Sequence, residues 1–180
     1  MTPIIIDDFL SQAEQDRLEA KLFGYEIPWT LYANTNAVDA KTKPGDAPQF
    51  VHGFIQDGRI LSAHAEIPQT IVAAAGLQPE AVLRAKANML MREPEPLVHP
   101  RHIDEPTPHI VMIYYVNDAD GDTSVFKGKE IFQRISPKKG RAIFFDGATF
   151  HASSSPLLAR FRCVVNINLK PDVSLDQLKT

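Results

Sequence analysis

The sequence predicts a mostly β fold, an antiparallel double sheet with helices packed on one outer face. Three observations carry this. The helices come first, before Val82; from Val82 onward short apolar alternations recur at intervals; and turn residues separate most of those runs. A chain that places its helices first and its strands after closes most simply as a sheet pair covered by helices on one side.

The elements follow in order. The stretch IIIDDFLSQAEQDRLEAKLFG reads as a short strand and then a helix. Ser11 is placed to cap that helix and Glu14, three residues on, completes a capping box. Leu10, Leu18 and Leu22 lie close to one helical face, and Gly24 suits the stop. Trp29 to Tyr32 reads as a strand. Residues 34–48 are rich in Asn, Thr, Lys, Gly and Pro and read as a surface loop, a candidate lid or an inert insertion. Gln49 to Gln56 is a strand ending at an Asp57-Gly58 turn. ILSAHAEIPQTIVAAAGL is a second helical region with Gly76 near its end, and Pro68 is expected to break or restart it.

VLRAKANMLMR then alternates polar and apolar residues. Short runs follow at 109–116, 123–126, 130–135, 141–145, 151–154 and 161–169. Asp120-Gly121, Lys127-Gly128, Pro137 to Gly140 and Asp146-Gly147 punctuate them. Several short strands with frequent turns describe a sandwich or barrel. The residues after Pro171 read as a tail with a last helical turn.

The chain has 180 residues, of which 44% are hydrophobic. This length and composition suit one globular domain over 1–180. The net charge of −3 gives no basic footprint for nucleic acid. One cysteine, Cys163, excludes an internal disulfide and fits a reducing compartment. MTPIIIDDFL has no basic segment before its short apolar run, and no stretch approaches a membrane span. The expectation is a soluble, cytoplasmic protein without a membrane partner. The sequence leaves its oligomeric state open.

The segment HIDEPTPHIVMIYYVN carries the chemistry. In an extended segment His102 and Asp104 share one face, with Ile103 turned away. A neutral imidazole and a carboxylate suit Fe(II), Mn(II) or Zn(II), and two ligands rarely hold a metal alone. His52, His64, His99, His109 and His151 are the candidates for a third. His151 is best placed in pattern: it follows GRAIFFDGATF, a strand and a tight turn, and opens the next run. Two histidines and one carboxylate on one face of a metal form a facial triad with open positions. HxD is also common by chance, and a lone histidine near a strand end is more often a satisfied structural group. Glu105 has the wrong parity to replace Asp104, and Asp146 reads as a turn builder. His99 and His109 read more readily as solvated loop residues, and Trp29 and Tyr32 as core or rim.

Downstream, ASSSPLLARFRCVVNINLK places Arg160 and Arg162 at the same parity, with Val164, Asn166 and Asn168 continuing that face. Cys163, Val165, Ile167 and Leu169 take the other, toward the helices. An arginine entering an apolar strand is costly unless an anion meets it, and its planar fork suits a carboxylate. Solvent or one of the protein's own acids could serve equally for either arginine taken alone.

The order of HxD, a late histidine and an arginine on the following strand resembles the 2-oxoglutarate- and Fe(II)-dependent oxygenases, in their prolyl-4-hydroxylase-like branch. HID looks like the HxD motif and FFDGATFH like the distal-histidine segment. IYYVN resembles the strand after HxD, in which a tyrosine helps hold the co-substrate, and the correspondence falls on Tyr114. GDTSVF resembles the GG-E/T-x-F strand with Asp122 in place of the second glycine, and RCVVNIN resembles the arginine-led final strand. The resemblance covers about 82–169 and only loosely the DDFL opening and helices.

It implies a double-stranded β-helix, or jelly roll, with a cupin-like core. It implies Fe(II) on His102, Asp104 and His151, with 2-oxoglutarate on two further positions and dioxygen on the last. The far carboxylate of 2-oxoglutarate would reach Arg162 and Tyr114, with Arg160 the rival anchor. The reaction would release succinate and CO2 and hydroxylate an unidentified substrate, a protein side chain or a small molecule. Two other readings stand beside it: a cupin-like metalloprotein that does not use 2-oxoglutarate, and a non-catalytic jelly-roll binding module.

Overall fold

The computed structural model describes residues 2–35 and 46–174. Among these described residues eleven strands and two α-helices are arranged as β1 (Ile4–Ile6), α1 (Gln12–Leu22), β2 (Thr30–Tyr32), β3 (Gln49–Gln56), β4 (Arg59–Ile60), α2 (Glu66–Ala74), β5 (Val82–Met91), β6 (Ile110–Tyr115), β7 (Thr123–Lys127), β8 (Glu130–Ile135), β9 (Ala142–Asp146), β10 (His151–Ser153) and β11 (Phe161–Leu169). The expected mostly β architecture with flanking helices is what forms.

Eight strands build one sheet. Seven run in the order β1-β9-β6-β11-β5-β3-β2, and β4 adds to β3. A second sheet has the order β10-β7-β8. Neighbouring strands in both sheets pair antiparallel. The large sheet therefore has two buried faces. One packs on the helices through Leu18, Leu22, Ile67, Ile71, Cys163, Val165 and Ile167. The other meets the small sheet through Val111, Ile113, Tyr115, Val125, Ile135, Phe145 and Val164. Strand period two sorts side chains between these layers, so β11 sends its odd residues to the helices and its even residues inward.

Local chemistry explains the boundaries. Ser11 caps α1, with its Oγ 3.4 Å from the Glu14 backbone nitrogen and donating to Glu14 Oε2 at 2.9 Å. Asp57 and Gly58 have φ of 51° and 70°, the pair of positive values that a two-residue β3–β4 hairpin requires. Pro68 neither breaks nor restarts a helix. It sits in the first turn of α2, where backbone N–H groups have no intrahelical acceptor to lose. The tail residues 175–180, and with them any last helical turn, lie outside the described residues.

Candidate metal centre

The three predicted ligands meet. His102 and His151 exchange both backbone hydrogen bonds at 2.9 Å, an isolated antiparallel bridge that aligns the two residues directly opposite each other. Their rings lie 4.7 Å apart between centroids. Asp104 follows His102 through a bend rather than along a continuous strand. The convergence therefore comes from that bend and the bridge, not from strand parity alone. His102 Nε2 is 3.8 Å from Asp104 Oδ1, and His151 Nε2 is 3.9 Å from Asp104 Oδ2. The ligand atoms of the three residues lie within 4.8 Å of one another.

Both rings turn their Nε2 atoms toward Asp104. His151 Nδ1 lies 3.1 Å from the Thr149 carbonyl and His102 Nδ1 lies 3.3 Å from that of Pro100. A carbonyl only accepts, so each Nδ1 carries the proton and each Nε2 keeps a lone pair facing Asp104. Burial, with His151 close by, pushes the His102 imidazole down to about 4, which keeps it neutral. Burial opposes ionisation of Asp104, but His151, Arg84, Lys86 and His102 surround it and hold its carboxyl well below the usual carboxylate range.

Residues that the sequence reading did not single out for this role support Asp104. Arg84 on β5 lies 3.1 Å from Asp104 Oδ1 and 2.8 Å from Glu105 Oε1. Asn166 Nδ2 on β11 donates to Asp104 Oδ2 at 3.1 Å. Both follow from parity: Asn166 continues the inward face of β11, and Arg84 the same face of β5.

Arg162 lies in the same pocket as the three ligands, together with Thr123, Val164 and Ile113. It is 3% exposed. Among the described residues it has no carboxylate within 4 Å, and its buried Nε has no partner. Its Nη2 donates to Thr123 Oγ1 at 2.7 Å, and Tyr115 Oη donates to the same oxygen at 2.6 Å. With two donors aimed at it, the Thr123 hydroxyl keeps its own proton for an acceptor in the pocket. Arg160 is exposed and precedes β11, beside Met91, Arg92 and Phe161, away from the triad.

Tyr114 corrects the sequence reading by one residue. It faces the helices within the first core, 1% exposed, with its hydroxyl unpartnered. Burial raises its pKa. Tyr115 is the tyrosine that meets Arg162, whose guanidinium carbon stands 5.5 Å from the Tyr115 ring centroid. A shift of one residue along a strand exchanges its two faces, and the doubled tyrosine of IYYVN hides that shift. The alternation Val111, Ile113, Tyr115 into the second core is the signal that separates the two.

Three of the other four histidines, His52, His99 and His109, have structural hydrogen-bond partners, and His64 lies against the His52 ring at 6.1 Å between centroids. His52 bonds the Pro28 carbonyl at 2.8 Å and Ser62 Oγ at 2.9 Å. His109 is buried rather than solvated. Its ring fills space that a Cβ at Gly147 would enter at 2.4 Å, and its Nδ1 bonds the Thr107 carbonyl at 2.7 Å. His99 is likewise buried, between Ser153 Oγ at 2.9 Å and Ser155 Oγ at 3.0 Å. Burial pushes its pKa down to about 4. The unfolded state therefore takes up a proton near pH 6.5 that the folded state refuses until about 4. Stability contributed by neutral His99 is complete above pH 6.5 and is lost as pH falls toward 4. The loss is on the order of 1–3 kcal/mol. Urea titrations at pH 7.5, 5.5 and 4.5 should show this slope in the native protein and a shallower one in His99→Gln; equal slopes would contradict it.

The candidate lid at 34–48 has described ends only. Thr35 N donates to Asp46 Oδ1 at 2.9 Å, and Gln49 Nε2 donates to the Thr35 carbonyl at 2.9 Å, which holds Thr35 against the pocket. Residues 36–45 lie outside the described residues. Among the described residues no helix is long and apolar enough to cross a membrane.

No family model and no curated protein matches this sequence. Solved structures do. One is an oxidoreductase of the 2OG-Fe(II) oxygenase family from Burkholderia pseudomallei, 14% identical, with a TM-score of 0.68 over 94% of this chain and 85% of that one. Another is a prolyl hydroxylase from Trichoplax adhaerens in complex with a hypoxia inducible factor oxygen degradation domain peptide, 13% identical, TM-score 0.60, covering 93% and 83%. A third is the non-heme alpha ketoglutarate dependent epimerase SnoN from nogalamycin biosynthesis, 11% identical, TM-score 0.63, covering 93% and 78%. The chain has the jelly-roll fold shared by the 2-oxoglutarate- and Fe(II)-dependent oxygenases, prolyl hydroxylases among them.

Proposed function

We propose that this chain is an Fe(II)- and 2-oxoglutarate-dependent dioxygenase that hydroxylates a substrate with release of succinate and CO2. The observation that carries it is Arg162, a buried guanidinium without an acidic partner among the described residues, in one pocket with a two-histidine, one-carboxylate set. A buried cation of this kind is costly unless an anion joins it. The structures that share the fold include a 2OG-Fe(II) oxygenase family oxidoreductase and a prolyl hydroxylase, and a metalloprotein that does not use 2-oxoglutarate has no need of Arg162.

The donor set fits iron: two imidazole nitrogens and one carboxylate, hard and intermediate ligands on one side. Iron(II) bound there with 2-oxoglutarate and dioxygen supplies the oxidative decarboxylation and the C–H oxidation. The chain's part is positional. His102, Asp104 and His151 hold the metal, and Arg84 and Asn166 fix the Asp104 carboxylate. Arg162 and the Thr123 hydroxyl receive the far carboxylate of the co-substrate, and Tyr115 orients Thr123. Leu90, Ile113 and Val164 line the pocket with apolar surface that keeps water away. The oxygenase domain is taken as 1–180 with its double-stranded β-helix core at 82–169, because β3 pairs along β5 from Gln49 to Gln56 and extends the same sheet. Its substrate belongs to protein side chains or small molecules.

Two measurements test this. Purified protein with Fe(II), 2-oxoglutarate and air should release succinate, and its absence under every substrate tried would overturn the co-substrate assignment. Mn(II) should raise Tm with concentration, since an ion held at a hundred times its Kd adds about 2.7 kcal/mol. No shift with any divalent ion would favour a non-catalytic module.

A further inference from the structure

Lys86 and Gly53 face each other on neighbouring strands, at the level of the candidate metal ligands. The β5–β11 register sets out the pocket in rows: Leu90 faces Arg162, Asn88 faces Val164, Lys86 faces Asn166 and Arg84 faces Asn168. Successive rows are about 6.8 Å apart. Arg162 marks the row of the co-substrate anchor. Asn166, bonded to Asp104, marks the row of the metal. Lys86 thus stands level with the metal, two rows from Arg162.

The Lys86 side chain lines the metal pocket and also an open cleft of about 410 Å3 over β3 and β5. Gln49 likewise lines both spaces. Directly across from Lys86 on β3 is Gly53. A Cβ there would touch only Leu61 Cδ1, at 3.9 Å, so the missing side chain leaves the cleft open beside the ammonium. Arg84 is engaged by Asp104 and Glu105. Lys86 adds to the positive charge around Asp104 but is not directly paired: among the described residues its Nζ makes no hydrogen bond and has no carboxylate within 4 Å. A cation partly withdrawn from water, level with a metal and open to a cleft, is a receptor for an anion.

We propose that Lys86 binds a carboxylate of the substrate, and that the substrate is a small carboxylic acid entering over Gly53. This deepens the oxygenase reading and rests on it for the word substrate. The ammonium is a point charge with three donors, and it would grip the carboxylate while the adjoining part of the molecule lies beside the metal.

The test reads binding directly. Protein with Zn(II) and saturating 2-oxoglutarate is titrated by saturation-transfer NMR with free and N-acetylated L-amino acids, each paired with its primary amide. Saturating 2-oxoglutarate fills Arg162, so preference for an acid reports another cation. At least one acid should bind about tenfold or more tightly than its amide. Lys86→Met and Lys86→Gln should both erase that preference, and Gly53→Leu should weaken acid and amide alike. The proposal is overturned if no acid outbinds its amide, or if the preference survives in either Lys86 variant. Succinate release by the native protein reports the oxygenase reading separately, so its failure would leave the binding result standing.

Discussion

If the proposed function holds, Asp104→Ala should abolish 2-oxoglutarate turnover, lowering succinate release by at least about a thousandfold. The size follows from what the carboxylate does. It supplies the only anionic ligand of the three, and it is fixed from behind by Arg84 and Asn166. Loss of an outer-shell partner alone typically costs 10–100-fold in metal affinity or activity, so removal of the ligand exceeds that. The fold should survive. Arg84 keeps its bond to Glu105 at 2.8 Å, and the main loss is the Asn166 amide left without its acceptor, about 1–3 kcal/mol. Two readouts separate lost chemistry from lost structure: the variant should keep its far-UV dichroism and a cooperative melt, while its Tm no longer rises with Mn(II). Turnover at the original rate would remove Asp104 from the site.

The strands that build this site were legible in the sequence; their order in the sheets was not. Turn dipeptides and strand alternation located every strand from β5 to β11 to within about two residues, because each signal is local. His102, Asp104 and His151 were readable for the same reason: each sits at a strand edge or bend that its neighbours announce. What the local pattern could not reach is pairing. Tyr114 and Tyr115 are identical in type, and only the β6–β11 register, with Val164 opposite Tyr115, decides which one shares a layer with Arg162. The same register separates Arg162 from Arg160, which lies before the strand begins. His99 and His109 read as solvated because proline and charged residues surround them. Their burial comes from contacts with Ser153, Ser155 and Gly147, which are distant in the chain. Arg84 is a similar case. Its meaning depends on Asp104, brought to it by the fold rather than by sequence proximity.

Arg162→Met should separate binding from stability in opposite directions. For the co-substrate, removal of one partner from a buried charge pair costs about 2–5 kcal/mol, so the KM for 2-oxoglutarate should rise about thirtyfold or more. For the apo-protein the guanidinium is a liability. It is buried, burial itself lowers its pKa, and its Nε has no partner. Replacing such a charge by an apolar chain of similar length is neutral or stabilising, by up to about 4 kcal/mol. The one bond forfeited is to Thr123, which keeps Tyr115 as donor at 2.6 Å. The variant's metal-free Tm should therefore equal or exceed that of the native protein, while the Tm gain that 2-oxoglutarate produces with Mn(II) present disappears. Arg160→Met should change neither quantity, since its side chain is exposed outside the pocket. A melt that falls in Arg162→Met with unaltered KM would make Arg162 a structural cation whose partner is the protein itself, and the co-substrate assignment would fail with it.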